Sequence, residues 1–117
     1  MSNYYCVQIL GLKPAASGAD LEALLRARVV EMGRWITGVQ RFSLMRTKTP
    51  GGEAVHYLMT LTFESQQAYI YWRQVEEEAH AYWPQLASVL QRCEQISTLL
   101  AEYEGTMLLQ EELNSDA

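Results

Sequence analysis

The stretch from Val55 to Tyr82 constrains the fold more than any other part of this 117-residue chain. Residues 55–63 alternate between a wholly apolar face and a mixed face, which predicts a strand. Ser65 then stands where a helix N-cap belongs, and residues 66–82 predict the helix that follows. The residues before this unit predict a strand, a helix and a strand, and those after it predict a closing strand.

The other segments complete the order β-α-β-β-α-(α)-β. Thr49-Pro50-Gly51-Gly52 is a turn sequence, so the strands on either side of it are expected to form a hairpin. Pro84 suits the first position of a short extra helix. The predicted strands are residues 4–10, 39–49, 55–63 and 94–104, and the predicted helices are residues 19–36, 66–82 and 84–91.

This order is the ferredoxin-like plan, an α+β fold whose antiparallel four-stranded sheet carries helices on one face only. By strand parity, we expect Tyr57 to face the helices, and Cys6, Gln8, His56 and Leu58 to lie on the opposite face. A half-apolar sheet face left bare is an association site. We therefore expect a homodimer in which two such faces bury roughly 1,600 Å².

The chain is predicted to divide into a domain at residues 1–105 and an amphipathic tail at residues 106–117. Met107-Leu108-Leu109 in this tail leaves two alternatives open: the tail clasps the partner, or it folds back onto its own helix. The run Glu76-Glu77-Glu78 in the second helix is interpreted as a solvated face.

The composition argues against several classes of protein. The formal net charge is −5 and the sequence pI is about 4.9, which disfavours binding to nucleic acid. The N-terminal residues lack a signal-peptide pattern, and no apolar run approaches the roughly 20 residues of a membrane helix. A cytoplasmic protein with no membrane association is expected. The cysteines, Cys6 and Cys93, are interpreted as small buried hydrophobes.

An apolar strand that runs into an acidic-serine helix start is followed by a histidine near the end of that helix and by a strand with an acidic residue near its end: Leu61-Thr62-Phe63-Glu64-Ser65-Gln66-Gln67-Ala68, then His80, and Ala101-Glu102-Tyr103. In these residues the chain resembles the dimeric α+β barrel superfamily, which includes the antibiotic-biosynthesis-monooxygenase-like and stress-responsive barrel families. The resemblance implies a homodimer with two sheets packed face to face into a barrel. It also implies that a small aromatic or polyketide-like molecule is bound, and in some members oxidised or rearranged, between sheet and helices without a tightly bound cofactor.

The candidate catalytic residues are His80 and Tyr57. Histidine titrates near neutrality and can exchange a proton with a bound phenol or enol, with Tyr57 as a hydrogen-bond donor. The simpler alternative is that His80 interacts with the dipole at the end of its helix. His56 is expected at the same end of the molecule but on another face. A metal would need a third ligand, and none is suitably spaced, so no metal site is predicted.

Several further residues are candidates for contact with a substrate. Arg46 lies on an apolar strand face and is a possible anchor for a carboxylate or phenolate, the alternative being a cation that reaches water. For the aromatic residues the alternative is ordinary core packing. A non-catalytic ligand-binding or assembly module, and a regulatory ligand-binding domain, stay open beside the enzyme hypothesis. The candidate substrate-binding residues are Trp35, Trp72, Tyr5, Arg46 and Tyr82.

Overall fold

The computed structural model describes residues 3–34, 36–48, 51–52 and 55–113. The predicted order of elements is confirmed, and the strand at residues 55–63 and the helix at residues 66–82 have the predicted bounds. No helix in these ranges is long and apolar enough to cross a membrane. The elements are β1 (Tyr4–Leu12), α1 (Gly18–Gly33), β2 (Val39–Lys48), β3 (Val55–Phe63), α2 (Gln66–Tyr82), α3 (Pro84–Ile96) and β4 (Ser97–Thr106).

The strands form one antiparallel sheet in the order β2-β3-β1-β4. The helices lie together on one face of this sheet, with α3 packed against both α1 and α2. Large apolar side chains from the helices and from β3 fill the space between the two layers, because each element buries the face that its hydrophobic period defines. The predicted ferredoxin-like fold is confirmed. The largest fully buried side chains include Trp72, Phe63, Leu21, Leu25 and Met32.

The predicted orientation of β1 is wrong. Cys6 and Gln8 are buried beneath the helices, where they pair with Leu61 and Met59 of β3. Directly opposed residues of antiparallel strands share a face, so β1 turns the same residues toward the helices as its neighbour does. Both faces of β1 are largely apolar, and its alternation alone therefore did not identify the helix-covered one. The outer face of β1 carries Tyr5, Val7 and Ile9 instead.

The third helix is longer than predicted, and the last strand therefore begins later in the sequence. It continues to Ile96, whereas the sequence pattern predicted that the helix ends at residue 91 and that the last strand begins at residue 94. Cys93 lies seven residues after Leu86, and both are buried on one face, so the helical period persists. The helix ends at Ser97, whose backbone is extended and whose hydroxyl donates to the carbonyl oxygen of Cys93 at 2.6 Å.

An irregularity in β4 changes which residues face the helices. Glu102 pairs with Gln8, and Leu99 pairs with Leu10, with the register shift falling between Ile9 and Leu10. Strict alternation would place positions 99 and 102 on opposite faces of the sheet. An extra residue in one strand removes that constraint, so both side chains lie on the helix-covered face.

Candidate functional site

A cavity of about 320 Å³ lies between the sheet and the helices. Its walls come from β1, β4 and all three helices, so every layer of the fold contributes to it. The apolar part consists mainly of leucine side chains, and the polar part mainly of charged groups from the three helices and β4. The lining residues are Gln8, Leu10, Leu25, Arg28, Arg73, Glu76, Glu77, Leu90, Cys93, Glu94, Ser97, Leu99 and Glu102.

Gln8 links two ion pairs across this cavity. The Arg28 Nε donates to Glu76 Oε2 at 2.6 Å, and the Arg28 Nη1 donates to Gln8 Oε1 at 3.2 Å. The Gln8 Nε2 in turn donates to Glu102 Oε2 at 2.5 Å. On the far side, Arg73 Nη1 donates to Glu102 Oε1 at 2.6 Å. Glu76, Arg28, Gln8, Glu102 and Arg73 therefore form one chain of hydrogen bonds, called here the polar network.

The polar network fixes the protonation of Glu102. Burial by itself would raise the pKa of this carboxyl group, but the hydrogen bonds from Gln8 and Arg73 outweigh it and lower the pKa below its ordinary value. The side chain is thus an ionised carboxylate at neutral pH and can only accept hydrogen bonds. Burial raises the pKa of the nearby Cys6 thiol to about 12 and also raises that of Cys93. Both thiols stay protonated, which makes them poor nucleophiles.

Trp72 lies outside the cavity wall and packs against Arg28, which is part of the wall. Its ring is 1% exposed, and the guanidinium carbon of Arg28 lies 5.2 Å from the ring centroid. This distance is within the range of a cation–π contact. Trp72 does not line the cavity, but it packs against an arginine that does.

Tyr57 and Arg46 lie together in a second cluster, away from the cavity. The Arg46 Nη2 donates to Glu22 Oε2 at 2.7 Å, and the Tyr57 hydroxyl donates to the same oxygen at 3.3 Å. The hydrogen bond from Arg46 holds the pKa of Glu22 below its ordinary value. In this structure the cation that was a candidate substrate anchor is paired with a carboxylate of its own chain.

The Tyr57 hydroxyl reaches Glu22 only because residue 18 has no side chain. A Cβ at Gly18 would clash with that hydroxyl, and the Tyr57 side chain is 2% exposed, so it has little space into which to move. We expect Gly18→Ala to lower the free energy of unfolding by about 1–3 kcal/mol, as overpacking of a core does. Denaturant unfolding measures this loss.

Two variants test that explanation. Gly33→Ala places a methyl group in the same helix where nothing lies within 4 Å, so no loss of stability is expected there. Adding Tyr57→Phe to Gly18→Ala removes the clashing oxygen and should recover most of the loss. An equal loss in Gly33→Ala, or no recovery in the double variant, would contradict the steric cause.

The remaining predicted residues lie outside the cavity. Tyr5 is on the outer sheet face, where it borders an apolar groove with Tyr103 and Met107. Tyr82 is 68% exposed, with its ring packed edge-on against Trp83. Trp35 lies outside the described residues.

His80 is exposed and borders a shallow groove between α2 and α3. Glu76 and Glu94 line both this groove and the cavity, so His80 is a neighbour of the cavity and not part of its wall. Its role in proton transfer stays a prediction. Within the described ranges, no three histidine, cysteine or acidic side chains group closely enough to hold a metal.

The polar network was not predicted from the sequence, although the hydrophobic pattern of α1 contains a clue to it. Arg28 comes four residues after Leu24 and four before Met32, so it occupies a position on the buried stripe of this helix. Glu76 follows Trp72 at the same spacing, and its side chain is 16% exposed because it pairs with Arg28. The prediction that Glu76 belongs to a solvated face is therefore wrong.

Comparison with known proteins identifies similar folds. No protein-family model and no curated protein matches the chain. SnoaB, a cofactor-independent oxygenase from Streptomyces nogalater, matches with a TM-score of 0.65 and 13% identity over 97% of this chain and 98% of that chain. A dimeric ferredoxin-like protein from an uncultured marine organism matches with a TM-score of 0.60 and 13% identity, over 95% and 100% of the two chains.

A DABB family protein with a ferredoxin-like fold, from Mesorhizobium loti, gives a TM-score of 0.57 and 17% identity over 95% of this chain and 100% of that chain. Likenesses at such low identity show the fold and leave the chemistry open. At the level of the fold, they confirm the predicted resemblance to antibiotic-biosynthesis-monooxygenase-like and stress-responsive barrel proteins.

Proposed function

We propose that this chain, whose fold is that of the dimeric α+β barrel superfamily, is a homodimeric protein that binds a small aromatic or polyketide-like molecule between its sheet and its helices. It oxidises or rearranges this molecule without a tightly bound cofactor. The observation that carries the proposal is the cavity of about 320 Å³ at that position. Ligand pockets in proteins start at about 300 Å³ and combine an apolar lining with a few polar groups.

The cavity wall has the two parts that such a ligand needs. Leu10, Leu25, Leu90 and Leu99 provide apolar surface for a flat ring system. The polar network gives fixed hydrogen-bonding groups that orient the ring substituents, since each of its side chains is already held by its neighbours. The fold shared with a cofactor-independent oxygenase supports oxidation as the class of reaction.

The proposal of a homodimer is based on the apolar side chains of the outer sheet face, which the helices do not cover. This face carries Val7, Ile9 and Leu58 at its centre, and Met45 and Tyr103 toward its edges, where they are 59% and 62% exposed. An apolar face of this extent in a soluble chain is typical of a protein interface. A second copy is the occupant that we propose, in keeping with a similar fold described as dimeric.

The tail extends the same apolar surface. Residues 107–113 form neither helix nor strand, and Leu108, Leu109 and Leu113 are 94%, 73% and 90% exposed. This exposure supports the alternative in which the tail clasps the partner over the one in which it folds back onto its own helix. We propose that the tail contacts the partner subunit in the dimer.

Anthrone, a tricyclic ketone with an oxidisable methylene group, is a suitable probe for the first test. Its oxidation consumes one O₂ and gives anthraquinone and one water, so an oxygen electrode detects turnover. Quenching of tryptophan fluorescence detects binding, because Trp72 packs against Arg28 in the cavity wall. Binding with oxygen uptake above the buffer rate supports the oxygenase. Binding without any product supports the alternative, a non-catalytic ligand-binding module. An absence of binding both by anthrone and by smaller naphthalene derivatives overturns the proposal.

Filling the cavity tests whether binding occurs there. Leu99 is 50% exposed at the cavity wall, so Leu99→Trp adds an indole ring to the ligand space while the backbone of β4 is unchanged. We expect the dissociation constant for anthrone to rise at least about tenfold, because a tenfold change requires the loss of only about 1.4 kcal/mol of binding free energy. Fluorescence titration measures it.

The matched control is Ser88→Trp, which adds the same ring on the exposed face of α3, away from the cavity. It should bind anthrone as the unmodified protein does. Unchanged affinity in Leu99→Trp would place the binding site elsewhere.

A further inference from the structure

We propose that the cavity selects aromatic ligands that carry a hydrogen-bond donor and no negative charge, with Glu102 as the acceptor of that hydrogen bond. This inference deepens the proposed function and rests on it. It is drawn from the charges of the cavity wall, the accessibility of the polar network and the hydrogen bonds that the network already makes.

The cavity wall is acidic. It contains four carboxylates and two guanidinium groups, which gives a formal balance of −2. Both guanidinium groups are occupied: Arg28 pairs with Glu76, and Arg73 pairs with Glu102. A carboxylate ligand would therefore meet cations whose charge is already balanced by carboxylates of the protein.

The other two carboxylates are not neutralised in this way. Glu77 and Glu94 form no ion pair with any residue in the described ranges. The Lys13 ammonium donates to the main-chain carbonyl oxygen of Glu94 at 2.7 Å and not to its carboxylate. Because like charges repel more strongly near a low-dielectric wall than in water, a negatively charged ligand is disfavoured at this cavity.

Arg73 does not reverse this balance, although its side chain is 39% exposed. On its outer side it borders a second groove, where Glu77, Glu78 and Glu104 also lie. Carboxylates thus stand on both sides of the most accessible cation of the cavity.

Glu102 retains the capacity to bind a donor. Its Oε2 accepts from Gln8 and from the Cys6 thiol, and its Oε1 accepts from Arg73, whereas a carboxylate offers about four lone-pair positions. The side chain is 24% exposed, so a ligand in the cavity can reach the positions that are left. An incoming hydroxyl or ammonium group would complete the hydrogen bonding of Glu102, while an ether or a carboxylate would not.

Four naphthalene derivatives of similar size test the proposal by titration at pH 7. 2-Naphthol is a neutral donor, 2-naphthylmethylamine is a cationic donor, 2-methoxynaphthalene is neutral without a donor, and 2-naphthoate is an anion. We expect both donors to bind at least about tenfold more tightly than the ether and the anion. Leu99→Trp should weaken the binding of both donors, which localises the effect to the cavity.

Charge variants test the acidic wall directly. Glu77→Gln with Glu94→Gln brings the formal balance of the wall to zero, and should reduce the disadvantage of 2-naphthoate relative to 2-naphthol at least about fivefold. Glu78→Gln with Glu112→Gln changes the net charge of the protein by the same amount but alters no cavity residue. This control should change the ratio less than about twofold.

The possible outcomes separate the two proposals. If none of the four compounds and no anthrone binds, the proposed function fails. If the compounds bind in the cavity with equal affinity, or 2-naphthoate binds most tightly, the selectivity is overturned while the binding function stands. A wall variant and a control variant that shift the ratio equally would also overturn it, because the effect would then come from the net charge of the protein.

Discussion

Arg28→Met is expected to lower the free energy of unfolding by about 3–5 kcal/mol, because it leaves Glu76 as a buried carboxylate without its partner. The two side chains are 8% and 16% exposed, and their charged atoms lie 2.6 Å apart. Gln8 also loses the donor to its amide oxygen in this variant. Denaturant unfolding followed by circular dichroism measures the change.

A second arginine–glutamate pair provides the matched control. Arg46 and Glu22 lie 2.7 Å apart, nearly the same distance, but their side chains are 63% and 37% exposed. Exposed pairs typically contribute between 0 and about 1 kcal/mol, since water solvates both partners when the pair is broken. Arg46→Met is therefore expected to leave the free energy of unfolding nearly unchanged. An equal cost for both arginines would show that burial does not determine the difference.

The double variant Arg28→Met with Glu76→Met distinguishes two quantities. One is the net contribution of the ion pair to stability, and the other is the penalty of leaving one of its charges without a partner. Replacing both partners of a buried ion pair by apolar side chains is often neutral for stability, in contrast to removing one of them. We expect most of the loss to be recovered. The polar wall of the cavity would be reduced at the same time, so a stable double variant with weaker binding of 2-naphthol would indicate that the pair is present for recognition.

The order of the elements and the fold could be predicted from the sequence, because they depend on hydrophobic periodicity within single segments. In β3 the residues Tyr57, Met59, Leu61 and Phe63 alternate without interruption, and all four are buried as expected. The hydrophobic pattern needs no information from a neighbouring element in such a case. The same holds for α2, where Ser65 caps the helix by accepting from the Ala68 amide.

The cavity could not be predicted from the sequence in the same way, because its residues come together only through the pairing of strands and the packing of helices. The orientation of β1 depends on its register with β3, and the position of Leu99 depends on the irregularity in β4. Neither is encoded in local alternation. His80 and Tyr57 were proposed as catalytic because of their residue types. The polar groups in the cavity wall are glutamine, arginine and glutamate side chains, which are common on protein surfaces. Such residues indicate a site only once their burial is known.

Ile9→Lys is expected to dissociate the proposed dimer, raising its dissociation constant at least about 100-fold. Ile9 lies at the centre of the outer sheet face, between Leu58 of β3 and Ala101 of β4. Leaving an unpaired charge buried costs about 3–5 kcal/mol, and 1.4 kcal/mol corresponds to a factor of ten. A two-fold interface contains the substitution twice, which increases the effect. Sedimentation equilibrium at several protein concentrations measures the dissociation constant.

The structure of the monomer should survive this change, because Ile9 points away from the helices and the stem of a lysine can cover the same apolar surface. Circular dichroism checks the fold, and Ser88→Lys on the exposed face of α3 controls for the added charge. Tyr103→Glu places a charge on the same face at a residue that is already 62% exposed, and provides a second variant if Ile9→Lys does not fold. A protein that sediments as a monomer without any substitution, or as an unaltered dimer with both, would contradict the proposed interface. The cavity lies on the opposite side of the sheet, so a monomeric variant that still binds 2-naphthol would show that the ligand site is complete within one subunit.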